Sequence, residues 1–270
     1  MANKMIKCAY EKPRSHLSIT FAVWKALFLR EAVSRIAAGR AAWAWLLLEP
    51  VIQIVFMILL FTFIRMREVN GIETGAWLIA GLMSFTMFRR TGTQARNALN
   101  ANGSLFTYRQ VKPVDTVLVR ACLEGFLSLL ITLIVSVGAL FFNIDVLPYD
   151  PLTVFVAFFG LWLIGLGYGL VLSVITELVS ELGKIIDIAM TPLYLVSGVI
   201  FPLSSLPASF REWLLINPLA HGVEAARVGI SPYYHAMPEL DIAYLYEFGL
   251  TSIFLGLALH RHFATKLIMR

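Results

Sequence analysis

Residues 152–175 read LTVFVAFFGLWLIGLGYGLVLSVI, 24 consecutive positions without a charge. A helix of that length rises about 36 Å, against a bilayer hydrocarbon core about 30 Å thick. A surface helix of a soluble domain would carry a polar face every 3.6 residues. This stretch has none, so it is expected to cross a membrane. Working outward, five further apolar runs flank it: Leu46–Ile64, Ala76–Phe88, Val117–Phe142, Ile185–Phe201 and Ile242–Leu259. The second is short and needs another turn at each end to reach full thickness. A last stretch, Trp213–Ile216 with Leu206 and Phe210 before it, is too short to span. It sits among Pro202, Pro207 and Pro218, which suits a re-entrant or interfacial hairpin.

The expected fold class is therefore an all-α membrane protein with six transmembrane helices. Composition agrees: 59% of residues are hydrophobic, 14% are charged, and the mean hydropathy is +0.76. Soluble domains average about 45–50% apolar and about 25% charged. Three parts are expected: a cytoplasmic N-terminal segment (1–45), the six-helix domain (46–260), and a cytoplasmic tail (261–270). That division leaves no room for a nucleotide-binding domain within 270 residues. No secretory signal is visible, because the first strong apolar run starts near Leu46. Cys8 and Cys122 fall in a basic segment and an apolar run, a placement that suggests two free thiols.

Orientation follows from Lys and Arg. Before the first run stand Lys4, Lys7, Lys12, Arg14, Lys25, Arg30, Arg35 and Arg40. Arg89, Arg90, Arg96, Arg109 and Lys112 lie between the second and third runs. Lys184, Arg261, Lys266 and Arg270 complete this side. The other side has Arg65, Arg67, Arg211 and Arg227 but is rich in acids: Glu68, Glu73, Asp145, Asp150, Glu212, Glu224, Glu239 and Asp241. Both termini are expected in the cytoplasm. The same asymmetry accounts for the net charge of +5 without nucleic acid.

Residues 19–38 read as an amphipathic helix, with Val23, Ala26, Leu27, Leu29, Val33 and Ile36 on its apolar side. It would lie in the membrane interface or pack on the rest of the protein. Trp24, Trp43 and Trp45 favour the interface. Charges inside a membrane are costly and draw attention. Glu49 can snorkel to the near surface. Arg120 and Glu124 are four residues apart in the third run and can pair along one helix. No chain of carboxylates and histidines crosses the bilayer, which argues against a proton-driven pump. Gly165 and Gly169 offer a small face for a close helix contact, a dimer seam being one use of it. No Walker A loop, zinc-protease or nucleophile-elbow motif is present. His221 and Glu224 could touch a metal but are too few to hold one, so no metal or catalytic residue is assigned. The loop 89–116 puts Arg90, Gln94 and Asn97 on one helical side, then breaks at Gly103 before Leu105, Phe106 and Tyr108. It reads equally as a docking surface or as a solvated loop.

Four stretches resemble one known family: FLREAVSRIAAGRAAWAWLLLEP (28–50), NGSLFTYRQVKPVDTVLVRACLE (102–124), PLYLVSGVIFPLSSLP (192–207) and LLINPLAHGVEAAR (214–227). The chain resembles the membrane subunit of ABC-2-type exporters, and within them the capsular polysaccharide export permeases of Gram-negative bacteria. One departure is Ala42, where that family usually has glycine; Arg40 and Pro50 match.

The resemblance implies a homodimer in the inner membrane, docked to two copies of a separate ATPase chain. ATP and magnesium would belong to that partner, with no cofactor on this chain. It implies ATPase contacts from the interface helix (Arg30, Glu31, Arg35) and from the loop (Arg90, Arg96, Asn97, Asn100, Phe106). It implies an outer gate in 202–221, with Pro202, Pro207, Trp213 and His221. The cargo would be a lipid-linked polysaccharide, handed on to periplasmic and outer-membrane export proteins. Aromatic rings suit the apolar faces of sugars, so Phe126, Trp162, Tyr168 and Tyr194 are candidates for the path, or else helix-packing and lipid-facing residues. Other cargoes (O-antigen, teichoic acid, a drug) stay open, as do a membrane-embedded glycan-processing enzyme and a passive channel.

Overall fold

The computed structural model describes residues 16–37, 42–64, 68–108 and 110–268. Cys8, the basic residues before residue 16, and Arg40, Arg65, Arg67, Arg109 and Arg270 lie outside them, as do the side chains of Ala42 and Trp43. Apart from one short hairpin, the regular secondary structure of the described residues is helical. Helix α1 is His16–Ala37. Six helices then match the six apolar runs in order: α2 Ala42–Phe63, α3 Thr74–Arg96, α5 Pro113–Leu140, α6 Pro151–Leu178, α7 Leu182–Val196 and α10 Ile242–His262. Short helices complete the order: α4 Ala98–Asn102, α8 Ala208–Leu214, α9 Pro218–Ile230 and α11 Ala264–Ile268.

Among the described residues, α5, α6 and α10 are long and apolar enough to cross a membrane. The apolar part of α2 is Leu47–Phe63. Helix α7 has 15 residues, a rise of only about 22 Å. Helix α3 is long but more polar overall, because its last turns carry Arg89, Arg90 and Arg96. Every residue from Thr74 to Phe88 is buried, with α2, α5, α6 and α9 packed around it.

Helix α6 nests between α3 and α10 because its glycines allow it. A Cβ on Gly165 would stand 2.9 Å from Cβ of Thr91, and one on Gly169 would collide with Ala95, both on α3. A Cβ on Gly160 or Gly167 would strike Leu245 or Ser252 of α10 at 2.5 and 2.6 Å. The G-x-x-x-G face is thus spent on an intrachain contact, so a dimer seam through it is ruled out by occupancy.

Helix starts follow local chemistry. Asp150 accepts from the amides of Leu152 and Thr153, at 3.1 and 3.3 Å, with Pro151 at the first helical position. Asp241 and Asn217 cap α10 and α9 in the same way.

One element departs from the all-α expectation. Strands β1 (Glu68–Val69) and β2 (Ile72–Glu73) pair antiparallel around Asn70-Gly71. Both turn residues have positive φ, 52° and 86°, the backbone of a tight hairpin that an Asn-Gly pair favours. The Asn70 carbonyl accepts from the amide of His235 at 3.0 Å, and its side chain donates to Ser204 Oγ at 2.6 Å. This gathers the hairpin, the turn at 203–205 and the α9–α10 loop at one end, the acidic end. Helices α1, α4 and α11 and the loop 97–112 gather at the other, the basic end. Leu267 of α11 is buried there with Ala98 and Leu99, against Phe106.

A candidate functional site of linked polar groups

At the basic end, α1 is tied to the bundle by charge. Its inward face carries Leu27, Glu31 and Arg35, at i, i+4 and i+8, while Leu29 and Val33 are 53% and 60% exposed. The expected apolar side of this helix is therefore divided: Leu27 packs inward, and Leu29 and Val33 stay exposed, open to a membrane interface. Glu31 and Arg35 find partners inside the protein, and Leu29 and Val33 do not. Arg35 Nη2 lies 2.7 Å from Glu124 Oε1, and Arg90 Nε lies 3.6 Å from Glu124 Oε2. Arg35 Nη2 and Arg120 Nη2 both donate to Gln94 Oε1, at 2.6 and 3.0 Å. Asn102 of α4 donates to Glu31 Oε1 at 3.0 Å, and Trp24 donates to Asp115 Oδ1 at 2.9 Å.

The expected Arg120–Glu124 pair within α5 does not form. Cations from α1 and α3 reach Glu124, and Arg120 turns to Gln94. A buried carboxylate held by two guanidinium groups is well compensated. One residue set thus fixes α1, α3, α4 and α5 to one another.

Arg96 was expected to face a docking partner. It is buried instead. Its Nη2 lies 2.8 Å from Asp187 Oδ1 of α7, and its Nη1 lies 3.5 Å from the carbonyl of Gly183. This strut joins the end of α3 to α7, a helix with no buried residue of its own.

Beyond the strut lies a niche of about 120 Å³, lined by Gln53 of α2, Phe85, Thr86 and Arg89 of α3, and Met190, Thr191 and Tyr194 of α7. Arg89 Nη2 sits 3.1 Å from Glu49 Oε1 at its edge. Glu49 and Gln53 are i, i+4 on α2, and Asp187, Thr191 and Tyr194 are i, i+4, i+7 on α7. Two otherwise apolar helices thus turn one polar stripe toward α3. Polar groups in such helices are costly and tend to mark a path.

At the acidic end, Arg227 is fully buried. It donates to Glu224 Oε1 at 2.8 Å and to the carbonyls of Gly198 and Val199 at 2.9 and 3.0 Å. Its guanidinium lies 3.8 Å from the centre of the Trp77 ring. The two carbonyls are free because α7 has ended at Ser197 and the chain turns at Gly198, φ +71°. A cation there also meets the negative end of the helix dipole. Tyr234 donates to Glu224 Oε2 at 2.6 Å, and burial pushes its phenol up to about 12. The sequence puts Arg227 and Glu224 among the charges of the outer side, and they do lie at the acidic end. There they are buried inside the protein, on α9.

His221 is placed by two backbone groups. The Asp241 amide donates to its Nδ1 at 3.0 Å, so Nε2 carries the proton and donates to the Leu215 carbonyl at 2.9 Å. The ring pins α8 to the start of α10. It does not share a ligand position with Glu224, and among the described residues no group of three His, Cys, Asp or Glu could hold a metal ion.

The remaining sequence candidates separate. Arg30 is half-exposed beside Glu31, 3.4 Å away. Asn97 is half-buried, with Arg96 Nε donating to its Oδ1 at 3.3 Å. Phe106 packs in the core beneath the loop, while Asn100 and Tyr108 are exposed. Phe126 and Trp162 line one apolar cavity of about 250 Å³ with Phe159. Trp162 Nε1 donates to the Ala121 carbonyl at 2.9 Å. Tyr168 is edge-on to Phe88, 5.4 Å between centroids, in the α3–α6 seam. Only Tyr194 reaches the polar niche. Pro202 is half-buried, and Pro207 and Trp213 are exposed. Gln53, Arg89 and Thr191 were missed. For Gln53 and Thr191 the signal was the i, i+4 repeat of polar residues on α2 and α7.

Residues 22–230 match the family profile described as ABC-2 type transporter. The chain is 33% identical over 252 residues to the polysialic acid transport protein KpsM of Escherichia coli, covering 92% of this chain and 96% of that protein. It is 28% identical over 207 residues to the capsule polysaccharide export inner-membrane protein CtrC of Neisseria meningitidis, covering 76% and 77%. It is 27% identical over 252 residues to the capsule polysaccharide export inner-membrane protein BexB of Haemophilus influenzae, covering 93% and 94%.

Proposed function

The chain belongs to the ABC-2 type transporter family, and from that premise we propose that it is the permease subunit of an ATP-driven exporter of lipid-linked capsular polysaccharide. It is a transport subunit whose ATPase is a separate chain. It works as an inner-membrane homodimer with six spans per subunit, both termini cytoplasmic, and two ATPase copies docked at the basic end. The segment Pro202–His221 closes the outer mouth as a re-entrant pair, and periplasmic and outer-membrane proteins receive the cargo. The names of the relatives support the cargo class.

One connection in the structure supports the mechanism most directly: Arg96 joins the end of α3, next to the docking loop, to Asp187 of α7, and α7 carries Thr191 and Tyr194 into the polar niche. A push on Asn100 of α4 or on Tyr108 beyond it, both exposed, reaches α1 through Asn102–Glu31 and reaches α7 through Arg96. Gln53, Arg89, Thr191 and Tyr194 then offer donors and acceptors to sugar hydroxyls and carboxylates, with Phe85 as an apolar wall. Two subunits would place two such stripes face to face.

The test is co-expression with a neighbouring ATPase gene product, followed by assay of ATP hydrolysis and polysaccharide export in lipid nanodiscs and in cells. Tyr108→Glu with Asn100→Arg is expected to weaken ATPase binding. Tyr194→Ala with Thr191→Val is expected to leave binding intact and reduce export. Failure of any ATPase to bind the unaltered chain would overturn the exporter reading. Normal export by the niche variant would overturn the path.

A further inference from the structure

A second feature lies on the opposite side of α2 from the niche. Helices α2 and α5 do not close on each other. Between them runs a furrow in two parts that share Ile134. The part toward the basic end, about 360 Å³, is lined by Phe28, Ala32 and Arg35 of α1, Leu47 of α2, and a face of α5 that includes Leu123, Leu127 and Leu130. The part toward the acidic end, about 490 Å³, is lined by apolar residues of α2 and α5, with Ile144 beyond α5. On α5 the first part runs from Leu123 to Ile134, a rise of about 16 Å. That is one leaflet of a hydrocarbon core about 30 Å thick.

Arg35 is the one charged residue of this lining, and it stands at the basic-end mouth. It shares Gln94 Oε1 with Arg120. Arg120 is 9% exposed, and its Nε and Nη1 atoms are buried without a partner. Arg35 also pairs with Glu124 at 2.7 Å, and Arg90 shares that carboxylate. Three guanidinium groups, Arg35, Arg90 and Arg120, thus face two carboxylates, Glu124 and Glu31, which leaves positive charge in surplus at this mouth. An apolar slot one leaflet deep, with cations at its headgroup end, matches a lipid whose head carries net negative charge. A zwitterionic head would bring its own cation to the same place.

We propose that the α1–α2–α5 furrow holds one resident anionic diacyl phospholipid of the cytoplasmic leaflet, an acyl chain between α2 and α5 and its phosphate at Arg35. The lipid completes the wall between α1 and α5, so α1 is seated partly on lipid. The site does not depend on the cargo assignment, and it stands if that reading fails.

The test uses the full-length chain, purified in mild detergent and equilibrated with equal amounts of phosphatidylglycerol and phosphatidylcholine, with retained lipid counted by native mass spectrometry. Leu130→Trp fills the furrow. Leu133→Trp, at a position 61% exposed on the same helix and outside both parts, is the control. The expected result is one phosphatidylglycerol per chain, enriched about fivefold or more as one basic residue at an anionic surface would give. The enrichment is kept in Leu133→Trp and lost in Leu130→Trp. Equal retention of both lipids, or enrichment that survives Leu130→Trp, would overturn the proposal. Displacement of phosphatidylglycerol by an equal concentration of lysophosphatidylglycerol would also overturn it, by making the furrow a seat for a single-chain anchor.

Discussion

At the acidic end, Arg227 and Glu224 stand three residues apart on one helix, and their further partners are two backbone carbonyls, the face of Trp77 and the Tyr234 hydroxyl. At the basic end, Arg35, Arg90 and Glu124 come from three helices, and Asn102 and Gln94 extend the set. Both clusters are buried, but they report different things. An ion pair within one helix moves with that helix and survives any rigid shift of it. A pair spread over α1, α3 and α5 exists only at one relative position of those helices. The first is suited to hold α9 and the end of α7 in place. The second is suited to yield when α1 or the loop beyond α3 moves, and Arg96–Asp187 would carry that movement to α7.

The largest expected effect breaks the acidic-end cluster. Arg227→Leu strands Glu224 in the core and should cost about 3–5 kcal/mol, read by denaturant unfolding in micelles. Gly81→Ala tests the same cluster without touching a charge. Its Cβ would stand 2.5 Å from Arg227 Nη2 and 3.2 Å from the Val199 carbonyl oxygen, so the guanidinium must shift and the variant should be destabilised, by less than Arg227→Leu. If both melt like the unaltered chain, the acidic end is not a structural clasp.

Next comes Tyr234→Phe, which removes a donor from a buried carboxylate and should cost about 1.5–3 kcal/mol. It also has a pH signature. The Tyr234 phenol is raised by burial to about 12, against 10.0 for the free group. Its contribution is therefore fully present below pH 10 and is lost as pH rises toward 12. The unaltered chain should lose stability over that window more steeply than Tyr234→Phe, and parallel curves would contradict the assignment.

At the basic end, a double-mutant cycle on Arg35→Gln and Glu124→Gln should give a coupling of about 1–2 kcal/mol. Its sharper effect is functional, because ATP hydrolysis should persist while export falls. Asp187→Asn is the smallest in stability, less than about 1 kcal/mol, since the Asp187 side chain is 57% exposed. Export should nevertheless fall in that variant. A variant with normal export would remove the strut from the mechanism.

The fold was legible where lipid or backbone geometry alone dictates residue choice. The run 152–175 is apolar because nothing else suits its length, and proline and aspartate mark helix starts at 150–151 and 241. Polar residues surrounded by protein were harder to read. Sequence places Arg227 beside other outer charges, but it cannot show that Gly81 leaves a gap beneath α3 for the guanidinium. Glu124 has Arg120 four residues away, and only the tertiary approach of α1 makes Arg35 the nearer partner. Likewise Glu31 and Arg35 look like the outward polar side of α1 until their partners within the protein are seen. The Asn70-Gly71 pair did carry a local hairpin signal, but two-residue strands add little to a helical pattern. Among the aromatic candidates, ring chemistry alone could not separate Tyr194, beside the niche, from Tyr168, locked in a helix seam.

Hydrogen exchange by mass spectrometry on the permease–ATPase complex in nanodiscs, with and without ATP, tests the contrast between the two ends most directly. The amides of α1, α4 and α7 should change protection on ATP binding, while those of α9 and the β1–β2 hairpin stay as they were. Equal change at both ends, or unchanged α1 and α7 in a complex that hydrolyses ATP, would contradict the division between a fixed acidic end and a yielding basic one.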